Sequence, residues 1–295
     1  MDYVSQLKNL PKKHDFFVGI DSDGCVFDTM EIKQKECFCP CFIKHFGLQA
    51  ASKYAREVWQ FVNLYSKTRG CNRYLAVQQA LRFIQDWPVF AQRGLKVDDI
   101  ASLNRWIKEE TKLGRPALGA KVKATGDADL AKVLKWSEEV DARIQDMVYG
   151  VPPFPGVVES LKKLRPKADM IVVSQTPVDA LVREWQEHRI DKYADFIAGQ
   201  EAGTKTQHLE FAARGKYAPE RVLMIGDAEG DLKAAKSNKV LFYPIVPGEE
   251  EAYWKRFHEE AFDRFLGGTY AGEYQERLLA EFAKALPETP PWKKK

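Results

Sequence analysis

No apolar stretch of the 295-residue sequence approaches the roughly 20 residues needed to cross a bilayer. The opening segment, MDYVSQLKNLPKKHDFF, also holds no apolar run of signal-peptide length, so a soluble, cytoplasmic protein without a membrane partner is expected. Neither sign of charge dominates. Lys and Arg total 45 against 42 Asp and Glu, and a net +3 is too small to draw nucleic acid through a long-range field. No nucleic-acid partner is expected, and a small anionic substrate would need only a local positive site. Cysteine is scarce and odd in number. Of five, Cys25, Cys37, Cys39 and Cys41 crowd into one stretch, a poor framework for disulfides, which points to reduced thiols. Internal repeats and low-complexity tracts are missing too. What is present is apolar material, 45% hydrophobic and 12% aromatic, enough for one large core or two. Two are expected.

Phe16 to Ile20 is a short apolar run that stops at the acidic turn DSDG, as a buried strand stops at a sheet edge. From about 31 to 150 the pattern is helical. Leu130, Val133, Leu134, Val140, Ile144 and Met147 recur at three- and four-residue spacing, with Asp127 placed to cap that helix. Pro152, Pro153 and Pro155 then mark a stiff connection. Beyond it, helical stretches alternate with the apolar runs Met170–Val173, Phe196–Ala198, Val222–Ile225 and Val240–Tyr243. This alternation predicts an α/β fold: a Rossmann-like parallel-sheet core over 1–30 and 151–295, with an inserted all-α cap domain over 31–150. The stretch 249–286 reads as two amphipathic helices and the terminal PPWKKK as solvated.

Polar residues gather at the ends of the predicted strands. Asp21, Asp23 and Asp28 follow the first, Ser174, Gln175 and Thr176 the second, and Gly226, Asp227 and Asp231 the fourth. In an open parallel sheet these ends face the crevice where ligands bind, and Lys205 opens a helix that can reach the same place. Carboxylates converging on one spot repel one another unless a cation joins them. A hard divalent ion with oxygen ligands answers this, and Mg²⁺ fits best. Ser174 and Lys205 would then hold phosphoryl oxygens.

The run FFVGIDSDGCVFDT at 16–29, Ser174 at a strand end, Lys205, and GDAEGD at 226–231 resemble, in order and spacing, the four motifs of the haloacid dehalogenase superfamily. The insertion after the first motif resembles the helical cap of the β-phosphoglucomutase branch. The resemblance implies a Mg²⁺-dependent phosphatase that hydrolyses a small phosphorylated metabolite through an aspartyl-phosphate. Asp21 would be the nucleophile and Asp23 the acid and base. Asp21, the Asp23 backbone carbonyl, Asp227 and, as ligand or close neighbour, Asp231 would hold the metal. Ser174, Gln175 and Lys205 are the phosphate-binding candidates, although Gln175 departs from the small residue or Asn usual there. An Asp two residues after the nucleophile is what phosphatases and phosphomutases of the family share. Gly70-Cys71-Asn72-Arg73 resembles the cap loop of that branch, which makes Arg69, Asn72 and Arg73 candidates for substrate selection.

Plainer readings stand beside these. Asp21 and Asp23 could form a calcium loop, but Gly24 comes at the fourth position rather than the sixth and a strand leads in. Asp28 reads as a turn-stabilising residue, and Asp231 as either a metal ligand or a helix cap. Cys37, Cys41 and His45 recur every four residues, yet Pro40 interrupts the segment and a structural cluster is favoured. Cys25, inside the first motif, reads as filler. Two alternatives in function stay open: a phosphomutase with the same nucleophile, and a non-catalytic binding or scaffold protein on the same fold.

Overall fold

The computed structural model describes residues 2–293 apart from 96, 98 and 99. The chain divides into two compact units, one made of residues 1–29 and 149–287, the other of 30–148 and 288–295.

The first unit is built on a five-stranded sheet: β1 (Phe16–Ile20), β2 (Ala168–Val173), β3 (Phe196–Ala198), β4 (Val222–Gly226) and β5 (Leu241–Pro244). The spatial order is β3-β2-β1-β4-β5, with every pair parallel. Its inner strands are runs of Val, Ile, Phe and Met buried on both faces, which a parallel sheet covered by helices requires. Chain direction across the sheet reverses between β1 and β4. From β1 the chain proceeds to β2, and from β4 to β5 on the other side, so the crevice beyond the ends of β1 and β4 is the topological switch point.

Helix Lys205–Ala213 packs close to β1 because residue 19 is glycine. A Cβ there would stand 2.7 Å from Leu209 Cδ2 and 3.1 Å from Val173 Cγ2. That approach brings the first residue of the helix toward the strand tips. The C-terminal segment dresses the β5 side: Tyr270 Oη donates to the Phe242 carbonyl at 2.7 Å, Phe242 N donates to Gln275 Oε1 at 3.0 Å, and the rings of Phe242 and Phe282 lie 5.8 Å apart.

The second unit is helical, with a core around Phe42, Trp59, Trp106 and Trp136. Asp127 caps helix Ala128–Met147, accepting from the backbone N–H groups of Asp129 and Leu130 at 3.0 Å each. Two expectations are corrected here. Pro40 does not interrupt its segment: a π-helical stretch, Lys33–Phe38, precedes it and the chain continues as helix Cys39–His45. The wider turn is a way for a helix to accommodate a residue that lacks an N–H. Nor is the C-terminal end wholly solvated. Trp292 stacks on Trp87 at 4.6 Å and meets Phe61 and Phe83 edge-on, and Lys293 pairs with Asp86 at 3.0 Å. No helix among the described residues is long and apolar enough to cross a membrane.

Candidate active site

The ladder between β1 and β4 continues one residue past the strand, through Asp21 N donating to the Ile225 carbonyl at 3.0 Å. This fixes Asp21 beside the end of β4, where Asp227 follows Gly226. One carboxylate oxygen from each of Asp21, Asp227 and Asp231 lies within 4.8 Å of the others, and all three residues are buried. Among the described residues this is the one group of acidic, His or Cys side chains close enough to hold a metal ion. The Cys37, Cys41 and His45 series forms no such group: both thiols are buried and His45 Nε2 meets Glu139 at 2.7 Å.

Lys205 joins the cluster by its ammonium, 2.7 Å from Asp21 Oδ2 and 2.7 Å from Asp231 Oδ1. Its helix start is held by Thr204 and Gln207 in a reciprocal cap. Burial first, and then the charge of Asp231, push the Asp21 carboxyl well above the ordinary carboxylate range despite the pull of Lys205. Asp231 is raised too, again chiefly by burial, and Lys205 is raised because its two carboxylates outweigh the cost of burying its charge. Lys205 lies between two of the three buried carboxylates, which crowd together at the strand ends. Hard oxygen donors in that state fit a small divalent ion.

Asp231 is both a cap and a member of the cluster. Its Oδ2 accepts from Ala228 N at 3.1 Å while Oδ1 faces Lys205. The carboxylate lies over the backbone of Gly226, where any Cβ would come within 2.3 Å of it. Asp23 is held differently. The hydroxyl of Thr29 donates to its Oδ1, and that of Thr176 to its Oδ2 at 2.8 Å. Thr176 is one of the strand-end polar residues expected at the crevice and Thr29 closes the first motif, but the contact of either with Asp23 is not readable from the sequence. The two hydroxyls fix the orientation of the Asp23 carboxylate.

Ser174 is buried at the end of β2, its N–H bound to the Ala198 carbonyl at 2.9 Å and its Oγ accepting from Thr176 N at 3.2 Å. Gln175 is exposed and turns its amide to the Gly203 carbonyl at 2.9 Å, tying the β2 tip to the start of the Lys205 helix. Asp28 is exposed just ahead of helix Thr29–Ile32. Cys25 is fully buried, and burial together with the neighbouring carboxylates pushes its thiol well up.

Arg69, Asn72 and Arg73 belong to the helical unit and have partners there. Arg69 is buried, with Nη1 donating to the Leu64 carbonyl at 3.0 Å. Asn72 caps helix Arg73–Asp86 and donates to the Leu113 carbonyl at 3.1 Å. Arg73 pairs with Asp141 at 2.6 Å and donates to Ser137 Oγ at 3.1 Å.

The family described as haloacid dehalogenase-like hydrolase matches residues 110–244, a span that contains Ser174, Lys205, Asp227 and Asp231 and leaves out β1 with Asp21 and Asp23. Among solved structures, the chain is similar to a haloacid dehalogenase-like family hydrolase from Streptococcus pneumoniae, at 15% identity and TM-score 0.43 over 83% of this chain and 91% of that one. A HAD-superfamily hydrolase, subfamily IA, variant 1, from Geobacter sulfurreducens is similar at 17% identity and TM-score 0.41, over 80% and 90%. A predicted phosphatase from Clostridium acetobutylicum is similar at 15% identity and TM-score 0.44, over 85% and 100%. No curated protein matches the chain in sequence. The chain resembles the haloacid dehalogenase-like hydrolases.

Proposed function

We propose that the protein is a Mg²⁺-dependent phosphatase that hydrolyses a small phosphomonoester with Asp21 as nucleophile. The observation that carries this reading is the set of three buried carboxylates, Asp21, Asp227 and Asp231, gathered at the switch point with Lys205 between two of them. A binding module has no need of so costly an arrangement.

Asp21 attacks phosphorus in line and takes the phosphoryl group as a mixed anhydride, with the leaving oxygen departing opposite. Asp23, oriented by Thr29 and Thr176, gives that oxygen a proton and then removes one from the water that hydrolyses the anhydride. Lys205 and the Ser174 hydroxyl hold the non-bridging oxygens. Asp21, the Asp23 backbone carbonyl, Asp227 and Asp231 would hold Mg²⁺, which when bound neutralises charge on the transferred group. The helical unit serves as the cap that selects substrate. Arg69, Asn72 and Arg73 contribute to that selection, Arg69 and Arg73 chiefly by holding the loop that Asn72 begins to turn into a helix.

A panel of phosphate esters, including p-nitrophenyl phosphate and hexose phosphates, tests this with the wild type and Asp21→Asn side by side. The wild type should release phosphate with Mg²⁺, and the variant should lose at least about three orders of magnitude in kcat. Hydrolysis that survives the substitution overturns the assignment. Isomerised hexose phosphate in place of free phosphate would make the enzyme a mutase on the same nucleophile.

A further inference from the structure

The loop that carries Asp21 and Asp23 is gripped from outside by two indole N–H groups. Trp185, on helix Val178–Glu187, donates from Nε1 to Ser22 Oγ at 3.0 Å. Trp254, on helix Glu250–Arg256 in the C-terminal segment, donates from Nε1 to the Cys25 carbonyl at 2.7 Å. Both rings are fully buried.

Ser22 and Cys25 are the points where the loop is organised. Ser22 N donates to Asp21 Oδ1 at 2.8 Å, so the serine backbone aims the proposed nucleophile directly. The Ser22 carbonyl accepts from the N–H groups of Val26 at 2.9 Å and Phe27 at 3.1 Å, closing the loop on itself, with Gly24 at a left-handed φ of 74°. The Cys25 carbonyl points out of that closed loop, and Trp254 satisfies it. The ring is seated by Gly156, whose φ is 88° and where a Cβ would stand 3.3 Å from Trp254 Cβ. Two residues earlier, Phe154 N donates to the Val26 carbonyl at 2.9 Å, so the same return of the chain braces the loop and makes room for Trp254.

We infer that Trp185 and Trp254 are positioning residues which hold the Asp21–Asp23 loop in its reactive geometry, and that the C-terminal helical segment is thereby part of the catalytic unit. This rests on the phosphatase reading for its kinetic consequence and on geometry alone for the clamp. An indole suits this role because it offers a single donor on a large rigid ring, so packing sets the direction of the N–H. A buried carbonyl deprived of its donor has to turn toward another or remain unsatisfied, and the loop shifts either way.

Trp254→Phe and Trp185→Phe remove the N–H while keeping most of the ring, and both variants are compared with the wild type in two assays. Hydrolysis of p-nitrophenyl phosphate with Mg²⁺ should show kcat lowered about tenfold with KM within about twofold. Amide hydrogen exchange should show lost protection confined to residues 21–27. That combination supports the clamp. Wild-type kcat in both variants, unchanged protection of the loop, or protection lost evenly across the unit overturns it. Should the wild type prove inactive on this probe, the phosphatase reading is what fails, and exchange alone decides the clamp: local loss supports it and no local loss overturns it.

Discussion

The Asp231 carboxylate lies across Gly226 so closely that a Cβ at 226 would sit 2.3 Å from Asp231 Cγ. Gly226→Ala should therefore act as an indirect Asp231 mutation, displacing the carboxylate from Lys205 and from the N–H of Ala228. Steady-state kinetics should show kcat reduced by roughly two orders of magnitude, comparable with Asp231→Asn. Overpacking should cost about 1–3 kcal/mol in urea unfolding.

Removing the cation that Asp21 and Asp231 share should expose how much the site depends on it. Lys205→Met leaves the two buried carboxylates without their ammonium, a loss of roughly 3 kcal/mol in the metal-free protein. Thermal unfolding in EDTA and in Mg²⁺ should show the ion recovering part of that loss. In the wild type, Mg²⁺ at 100 times its Kd should add about 2.7 kcal/mol, a gain that Asp227→Asn greatly reduces.

Burial lowers the His208 imidazole to about 4, against smaller opposing effects from the backbone of Gly199 and Gly203. In the unfolded chain it titrates near its ordinary 6.5, so between these values the unfolded state binds a proton that the folded state does not. The neutral ring contributes fully above pH of about 6.5, and stability falls as pH drops toward about 4, by as much as ~3 kcal/mol. Urea titrations at several pH values should show a shallower acid loss in His208→Gln than in the wild type.

The stacked pair Trp87 and Trp292, with rings 4° from parallel, packs the stretch Pro291–Lys293 into the helical unit to which it belongs. Trp292→Ala should cost about 1–3 kcal/mol of that unit's stability, read from urea unfolding. Lys293→Ala should cost much less, because its pairing with Asp86 is at the surface.

Much of this architecture is legible in the sequence because the signals are short-range. Apolar runs such as Met170–Val173 end in polar residues and alternate with helices, which gives the parallel sheet and hence the convergence of Asp21, Asp227 and Lys205. Features set by tertiary contacts are not legible. Thr29 and Thr176 are ordinary strand-end hydroxyls until the fold turns both toward Asp23. Trp254 looks like any apolar residue of an amphipathic helix, and nothing in its spacing announces a partner 229 positions away at Cys25. Trp292, flanked by Pro and Lys, has no periodicity to mark it as packed. Asp231 reads as cap or ligand because it serves as a cap within the acidic cluster.

Whether Asp21 carries the phosphoryl group is decided by trapping the intermediate. Enzyme quenched during turnover of a phosphate ester is treated with borohydride, which reduces an acyl phosphate, and the peptide spanning β1 and its loop is sequenced by mass spectrometry. Homoserine is expected at position 21 in the wild type and none without substrate. An unmodified Asp21 in enzyme that is turning over, or reduction at another carboxylate, would contradict it.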